Sequence, residues 1–196
     1  RVAKNKSIAV TKYMEIEQRF EVRFRISPEL EIGLSAAPGV FIPTVTTDIL
    51  IRSVKGLISS PVKLLDIGCG TGIIGIALHL GKLIQLPLYA SDLSDSAVLC
   101  SRDNFKRYGC TAEVRGGSLF DPWIDQKFDV IVNDISGIAR DIAVVSSWFK
   151  GIPCETGDDG TDLTVKILQD AAKHLSENGM FFFPVLSLSN VEKILQ

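Results

Sequence analysis

The stretch that most restricts what this chain can fold into runs from Leu64 to Gly75 and reads Leu-Leu-Asp-Ile-Gly-Cys-Gly-Thr-Gly-Ile-Ile-Gly. The short apolar run of Val62, Leu64, Leu65 and Ile67 predicts a buried strand. The periodic Ile73, Ile74, Ile76, Ala77 and Leu80 predict a helix. Between them, glycines at 68, 70 and 72 let the backbone turn sharply and approach a ligand, with the first amides of the helix left pointing into the gap. A strand, such a turn and a helix make a cofactor site.

Two registers of the turn compete. Gly70, Gly72 and Gly75 fit the dinucleotide spacing Gly-x-Gly-x-x-Gly, with Asp92 downstream as the ribose acid of an NAD-dependent oxidoreductase. The other register, Asp66-x-Gly68-x-Gly70-x-Gly72, places a carboxylate at the strand end, facing the same gap. That charge would repel a pyrophosphate and attract a ligand carrying an ammonium and a sulfonium in a low-dielectric cleft. Asp66 therefore favours S-adenosyl-L-methionine over NAD, and the stretch resembles motif I of the class I methyltransferases.

A chain of 196 residues is long enough for one α/β domain with a full core. Its net charge of −2 gives no support to a general nucleic-acid-binding surface. No apolar run reaches the ~18 residues of a membrane span, and no charged-then-apolar leader pattern opens the sequence. Cys69, Cys100, Cys110 and Cys154 show no metal-ligand spacing with one another or with His79 and His174. We expect no metal, and read the cysteines as reduced thiols of a cytoplasmic protein.

Upstream, Met14, Ile16, Phe20, Val22, Phe24 and Ile26 alternate with Glu15, Glu17, Arg19, Glu21, Arg23 and Arg25, the period of a half-buried strand or bent hairpin. Residues 1–25 carry seven basic and three acidic side chains. Cross-strand ion pairs on a solvated face account for them better than a guiding surface for an anionic partner. Residues 1–37 thus read as a β extension, and 38–196 as the cofactor-binding domain. Pro38 to Asp48 is a proline-pinned loop with threonine caps for a helix beginning near Ile49, and it can fold over the cleft. Leu86 to Ala90, Ala112 to Val114, Phe128 to Val132 and Met180 to Val185 predict further strands, with helices over Ser94 to Tyr108 and Leu163 to Leu175. The class is α/β, a doubly wound, mostly parallel sheet. Asp66, Asp92 and Asn133 then arrive at the carboxyl ends of three strands around one crevice.

With Phe41-Ile42-Pro43, Asp66 to Gly72, Ala90-x-Asp92-Leu93-Ser94 and Phe128-Asp129-Val130-Ile131-Val132-Asn133 in order, residues 38–196 resemble the release factor glutamine methyltransferase family and its N-methyltransferase relatives. Glu155 to Leu163 resembles that family's Gly-x-x-Gly segment before the penultimate helix. The resemblance implies a seven-stranded-type Rossmann-like methyltransferase fold. It implies S-adenosyl-L-methionine held by Asp66, Gly68, Gly70 and Gly72, with its ribose at Asp92 and Leu93 and its adenine at Ser118 and Leu119. Asn133 would sit beside the cofactor and orient the acceptor, Asp134 would accept the leaving proton, and Phe41, Pro43, Ser136 and Glu155 would contact the acceptor.

The departures are informative. The family's Asn-Pro-Pro-Tyr is here Asn133-Asp134-Ile135-Ser136, so only the asparagine is shared. Thr44 and Thr46 stand where the family has an arginine and an acid, and Ser118 stands where it usually has an acid. The fold ordinarily closes with a helix and a seventh strand, of which Asn190 to Gln196 can supply only part of the helix. Release factor glutamine is therefore a poor acceptor; the expected substrate is a nitrogen or oxygen of another protein or small molecule. The competing reading is a non-catalytic cofactor-binding subunit that meets a partner through residues 14–26.

Overall fold

The computed structural model describes residues 18–135, 137–145 and 156–196. Two antiparallel strands, β1 (Phe20–Ser27) and β2 (Leu30–Ala36), come first, followed by helix α1 (Val45–Leu57). Then β3 (Leu64–Ile67), α2 (Ile73–Leu80), β4 (Leu88–Asp92), α3 (Asp95–Arg107) and β5 (Ala112–Gly116) alternate. A 3-10 turn (Asp121–Trp123) leads to β6 (Phe128–Asn133), short α4 (Arg140–Val145), α5 (Asp162–His174), β7 (Leu175–Phe182) and α6 (Val191–Leu195). The main sheet has the order β5-β4-β3-β6-β7, every neighbouring pair parallel. This is the Rossmann-like methyltransferase fold the sequence implies, with five strands among the described residues.

Strand β3 lies at the centre, and its side chains alternate between two cores. Leu64 joins Ile51, Val54, Ile74, Leu78, Leu88, Phe105 and Val130 on the face covered by α1, α2 and α3. Leu65 and Ile67 join Trp123, Phe128, Ile131 and Ile167 on the other. By the same alternation Asp66 belongs to the Leu64 side. The chain passes from β3 through α2 to β4 on one flank, then reaches β6 on the other flank. The crevice at that reversal opens above the carboxyl end of β3.

The N-terminal strand is a hairpin whose second strand, Leu30–Ala36, the alternation upstream did not reveal; Met14 and Ile16 lie outside the described residues. Ile32, Leu34 and Ala36 of β2 are buried. The Asn104 side chain pins β2 to α3, accepting from Ser35 N (2.8 Å) and donating to Ser35 O (2.9 Å). Arg23 and Arg25 pair across the hairpin with Glu31, as the cross-strand reading expects, whereas Arg19 pairs with Asp103 of α3.

Helix α5 stops at His174, and Leu175 already pairs with Phe128. The register then jumps, so Met180 is the next residue to pair, with Val130. Ser176 bonds Asp129 (2.8 Å) within the intervening bulge. The expected strand from Met180 is thus the regular part of β7, and Leu175 is an outlying pairing ahead of it.

Candidate active site

The glycine turn is held by the strand beside it. Gly68 N and Cys69 N both donate to Ser91 O, at 2.8 and 3.0 Å, and Gly72 N closes a tight turn onto Cys69 O at 2.7 Å. Gly72 has φ +80°, and a Cβ there would lie 2.8 Å from Phe105, so neither the backbone nor the space admits a side chain. Asp92, at the end of β4, braces the turn: one carboxylate oxygen accepts from Gly70 N and the other from Ser94 N, each at 2.9 Å. Burial raises its pKa, against the pull of the Ser94, Gly70 and Leu93 amides.

Asp66 is 1% exposed, and neither of its carboxylate oxygens has a hydrogen-bond partner. Burial first, then the neighbouring Asp134 charge, push its pKa up to about 8, with the Gly75 amide offsetting part of the rise. Asp134 follows β6, and its Oδ2 accepts from the Thr47 hydroxyl of α1 at 2.6 Å while Oδ1 is buried without a partner. Burial raises Asp134 to about 6, with the Thr47 bond working the other way. A cavity of about 20 Å³, room for one water-sized group, lies between the two halves of the site. Phe41, Pro43, Thr47, Gly68, Gly70 and Asp134 are among the residues lining it.

Asn133 is buried, and its Oδ1 accepts from Ile135 N at 2.8 Å, which folds the chain back into a turn. The turn carries Ile135 over the glycines: a Cβ on Gly68 would lie 2.5 Å from Ile135 Cγ1. Among the described residues, Asp134 lines the cavity and bonds the Thr47 side chain, and the turn's backbone bond to Ile135 belongs to Asn133. Of the other expected contacts, Leu93 is 76% exposed beside Asp92. Ser118 and half-buried Leu119, at φ +47°, follow β5 across the crevice. Ser136 and Glu155 lie outside the described residues.

The Gly-x-x-Gly segment has a visible task. Gly160 packs so closely on Gly137 that a Cβ on Gly137 would overlap the Gly160 carbonyl. Thr156 N bonds Ile138 O (3.3 Å) and Arg140 N bonds Gly157 O (3.1 Å). The segment clamps the chain that leaves β6, just beyond Asn133 and Asp134.

Three further residues matter that sequence reading did not single out. Thr47 links α1 to Asp134, Ile135 lids Gly68, and Asn104 donates to Thr71 O of the glycine turn as well as to β2, both at 2.9 Å. Thr47 is the one with a legible signal. It stands three residues after Thr44 at a helix start, and Thr44 N does bond its hydroxyl (3.1 Å).

The sequence profile of the methyltransferase small domain matches residues 31–134, from the second strand of the hairpin to Asp134. The chain belongs to the methyltransferase small domain family. Among curated relatives it is 32% identical over 129 residues to a ribosomal protein uL3 glutamine methyltransferase of Francisella tularensis, covering 63% of this chain and 41% of the relative. It is 28% identical over 163 residues to a release factor glutamine methyltransferase of Geobacter sulfurreducens, covering 81% and 57%. The chain thus spans less than two thirds of the length of these relatives. Its fold matches that of a ribosomal protein L11 methylase from Lactobacillus delbrueckii, with TM-score 0.57 and 23% identity over 83% of this chain and 80% of that one. For this member of the family the dinucleotide register loses its case, because a pyrophosphate at the glycine turn would face the unpartnered Asp66 carboxylate.

Proposed function

We propose that this chain binds S-adenosyl-L-methionine at the Asp66 to Gly72 turn and Asp92, and catalyses methyl transfer to a nitrogen of a protein acceptor other than release factor glutamine. The observation that carries the reading is Asp66, a fully buried carboxylate with both oxygens unpartnered beneath a turn of glycine amides. A buried acid in that condition ionises when a cation arrives beside it, and the sulfonium and ammonium of this cofactor supply one. The relatives' names, which cite ribosomal proteins and a release factor, support a protein as the acceptor.

The bound cofactor supplies an electrophilic methyl group on sulfur, and the rest is positioning. Asp92 accepts a ribose diol while it keeps its bonds to Gly70 and Ser94. Asn133 sets the turn after β6 and has a second lone pair on Oδ1 for the acceptor's N–H. Asp134 takes the acceptor's proton, and the Thr47 hydroxyl fixes its orientation. No helix among the described residues is long and apolar enough to cross a membrane.

The test is transfer of label from radioactive S-adenosyl-L-methionine to fractionated lysate proteins. Asn133→Ala is expected to keep cofactor affinity within a few fold and to lower turnover by about a hundredfold, because acceptor positioning is what it removes. Cofactor bound without any transfer by the wild type would favour the non-catalytic subunit instead.

A further inference from the structure

Helix α3 stands between the N-terminal hairpin and the glycine turn, and it bonds both. Two side chains one helical turn apart pair with the main chain of β2. Gly33 N donates to the Tyr108 hydroxyl at 2.8 Å, and Gly33 O accepts from that hydroxyl at 3.0 Å. Two residues further along β2, Ser35 N donates to Asn104 Oδ1 (2.8 Å) and Ser35 O accepts from Asn104 Nδ2 (2.9 Å). The side chains of α3 do for β2 what a neighbouring strand would do.

Asn104 has a second task. Its side chain is fully buried, and Nδ2 also donates to Thr71 O, inside the glycine turn, at 2.9 Å. Both N–H donors of the carboxamide are therefore committed, one to each segment. The carboxamide is planar, so its two-bond pairing with Ser35 fixes the plane and with it the direction of the N–H that reaches Thr71. Turned over, the amide would set its oxygen against the carbonyls of Ser35 and Thr71. With β2 lifted away, no other bond of Asn104 holds that plane, and the carbonyl of buried Thr71 loses its fixed donor, which is costly. Phe105, the next residue, presses on the same turn, 2.8 Å from where a Cβ on Gly72 would sit. The turn takes its shape from α3 as well as from Ser91 and Asp92.

We propose that Asn104 is a positioning residue that couples the hairpin to the cofactor turn, so that docking of the hairpin and binding of S-adenosyl-L-methionine strengthen one another. This rests on the reading of Asp66 to Gly72 as the cofactor site. The coupling is reciprocal: if the docked hairpin raises cofactor affinity by some factor, the bound cofactor tightens the hold of α3 on the hairpin by the same factor. Lifting β2 from α3 then weakens cofactor binding with no change at Asp66, Asp92 or Asn133.

Tyr108→Phe tests this away from the cofactor turn, since the lost hydroxyl bonds Gly33 alone. Binding of S-adenosylhomocysteine, measured by calorimetry, is expected to weaken by about fivefold or more. In an Asn104→Leu background, where the link is already cut, Tyr108→Phe is expected to bring no further loss. The reciprocal measurement needs no variant. Saturating S-adenosylhomocysteine is expected to slow amide hydrogen exchange at Gly33 and Ser35 of the wild type by about fivefold or more, read in the urea-independent regime where local opening rather than global unfolding is measured. A residue with a structural role alone would lower Tm and leave the affinity and the ligand dependence of exchange as they are. Equal affinity in wild type and Tyr108→Phe, or local exchange at Gly33 and Ser35 that ignores the ligand, would overturn the proposal and leave the cofactor site standing. So would a Tyr108→Phe loss that persists undiminished in the Asn104→Leu background. Failure of the wild type to bind S-adenosylhomocysteine would remove the cofactor site and the proposal together.

Discussion

The two halves of the crevice are built in different ways. The cofactor half is made of backbone: Gly68, Cys69 and Gly70 are consecutive, and their amides are tied to Ser91 O and Asp92 at the end of the adjacent strand. The acceptor half is made of side chains that arrive from far apart. Thr47 and Asp134 are 87 residues distant in sequence, and the chain beyond them is held by a third segment, Thr156 to Gly160. A geometry fixed by glycine φ angles and amides depends little on which side chains surround it. A geometry assembled from Thr47, Asn133, Asp134 and Ile135 changes with each of them, so specificity for the acceptor can be rewritten while the cofactor turn stays as it is.

The largest effect that would test this division belongs to Asp66. Asp66→Asn keeps the shape and removes the buried charge, so cofactor affinity is expected to fall by roughly 2–5 kcal/mol, as for one partner lost from a buried ion pair. The empty protein is expected to respond in the opposite sense. An acid whose folded pKa is about 8, against an ordinary 3.8, is almost fully protonated in both states only below pH ~3. As pH rises from there to about 8 the unfolded chain ionises first, and wild-type stability is progressively lost. Asp66→Asn should therefore unfold at a higher temperature than wild type near pH 8, and at about the same temperature at pH ~3. Cofactor affinity of the wild type should rise with pH over the same range, with proton release seen by calorimetry in buffers of different ionisation enthalpy. A flat affinity profile would mean that Asp66 is already ionised without its ligand.

Asp92→Ala comes next. It removes both the charge-assisted bonds to a ribose diol and the brace on Gly70 and Ser94, so a loss of about 2 kcal/mol in S-adenosylhomocysteine binding is expected by calorimetry. Asp92→Asn separates the two contributions, since the amide oxygen can keep one brace. If Asp92→Asn binds as weakly as Asp92→Ala, the charge matters more than the support of the turn.

The same division explains what could be read from sequence. Asp66, the glycines and Asp92 lie in two short stretches whose strand-turn-helix rhythm is local, and strand order followed from alternating elements. The hairpin partner Leu30–Ala36 carries its own alternation, Leu30, Ile32, Leu34 and Ala36 against Glu31, Gly33 and Ser35, but it is short, and what buries it is α3, about seventy residues on, through Asn104. Thr47 was legible as part of a helix cap and illegible as a partner of Asp134, because that bond exists only once α1 is folded against the end of β6. Asn133 is expected to offer its amide oxygen to the acceptor, and one lone pair of that oxygen also serves Ile135 N, a local bond that the spacing of the turn could have suggested.

The halves meet where Ile135 covers Gly68, and that contact gives the smallest and sharpest prediction. Gly68 has φ +67°, and its missing Cβ is replaced by the side chain of Ile135, 2.5 Å from where that atom would sit. Gly68→Ala is then penalised twice, by about 1 kcal/mol of backbone strain in the left-handed region and by a clash that Ile135 must relieve by moving. Ile135→Ala removes the clash and leaves the strain. If the contact couples the halves, the double variant should be more stable than the sum of the single effects predicts, by roughly 0.5–3 kcal/mol, measured by urea unfolding of the empty protein. Full additivity would mean that the acceptor turn swings clear of Gly68 freely, and the two halves would then be independent in energy as well as in construction.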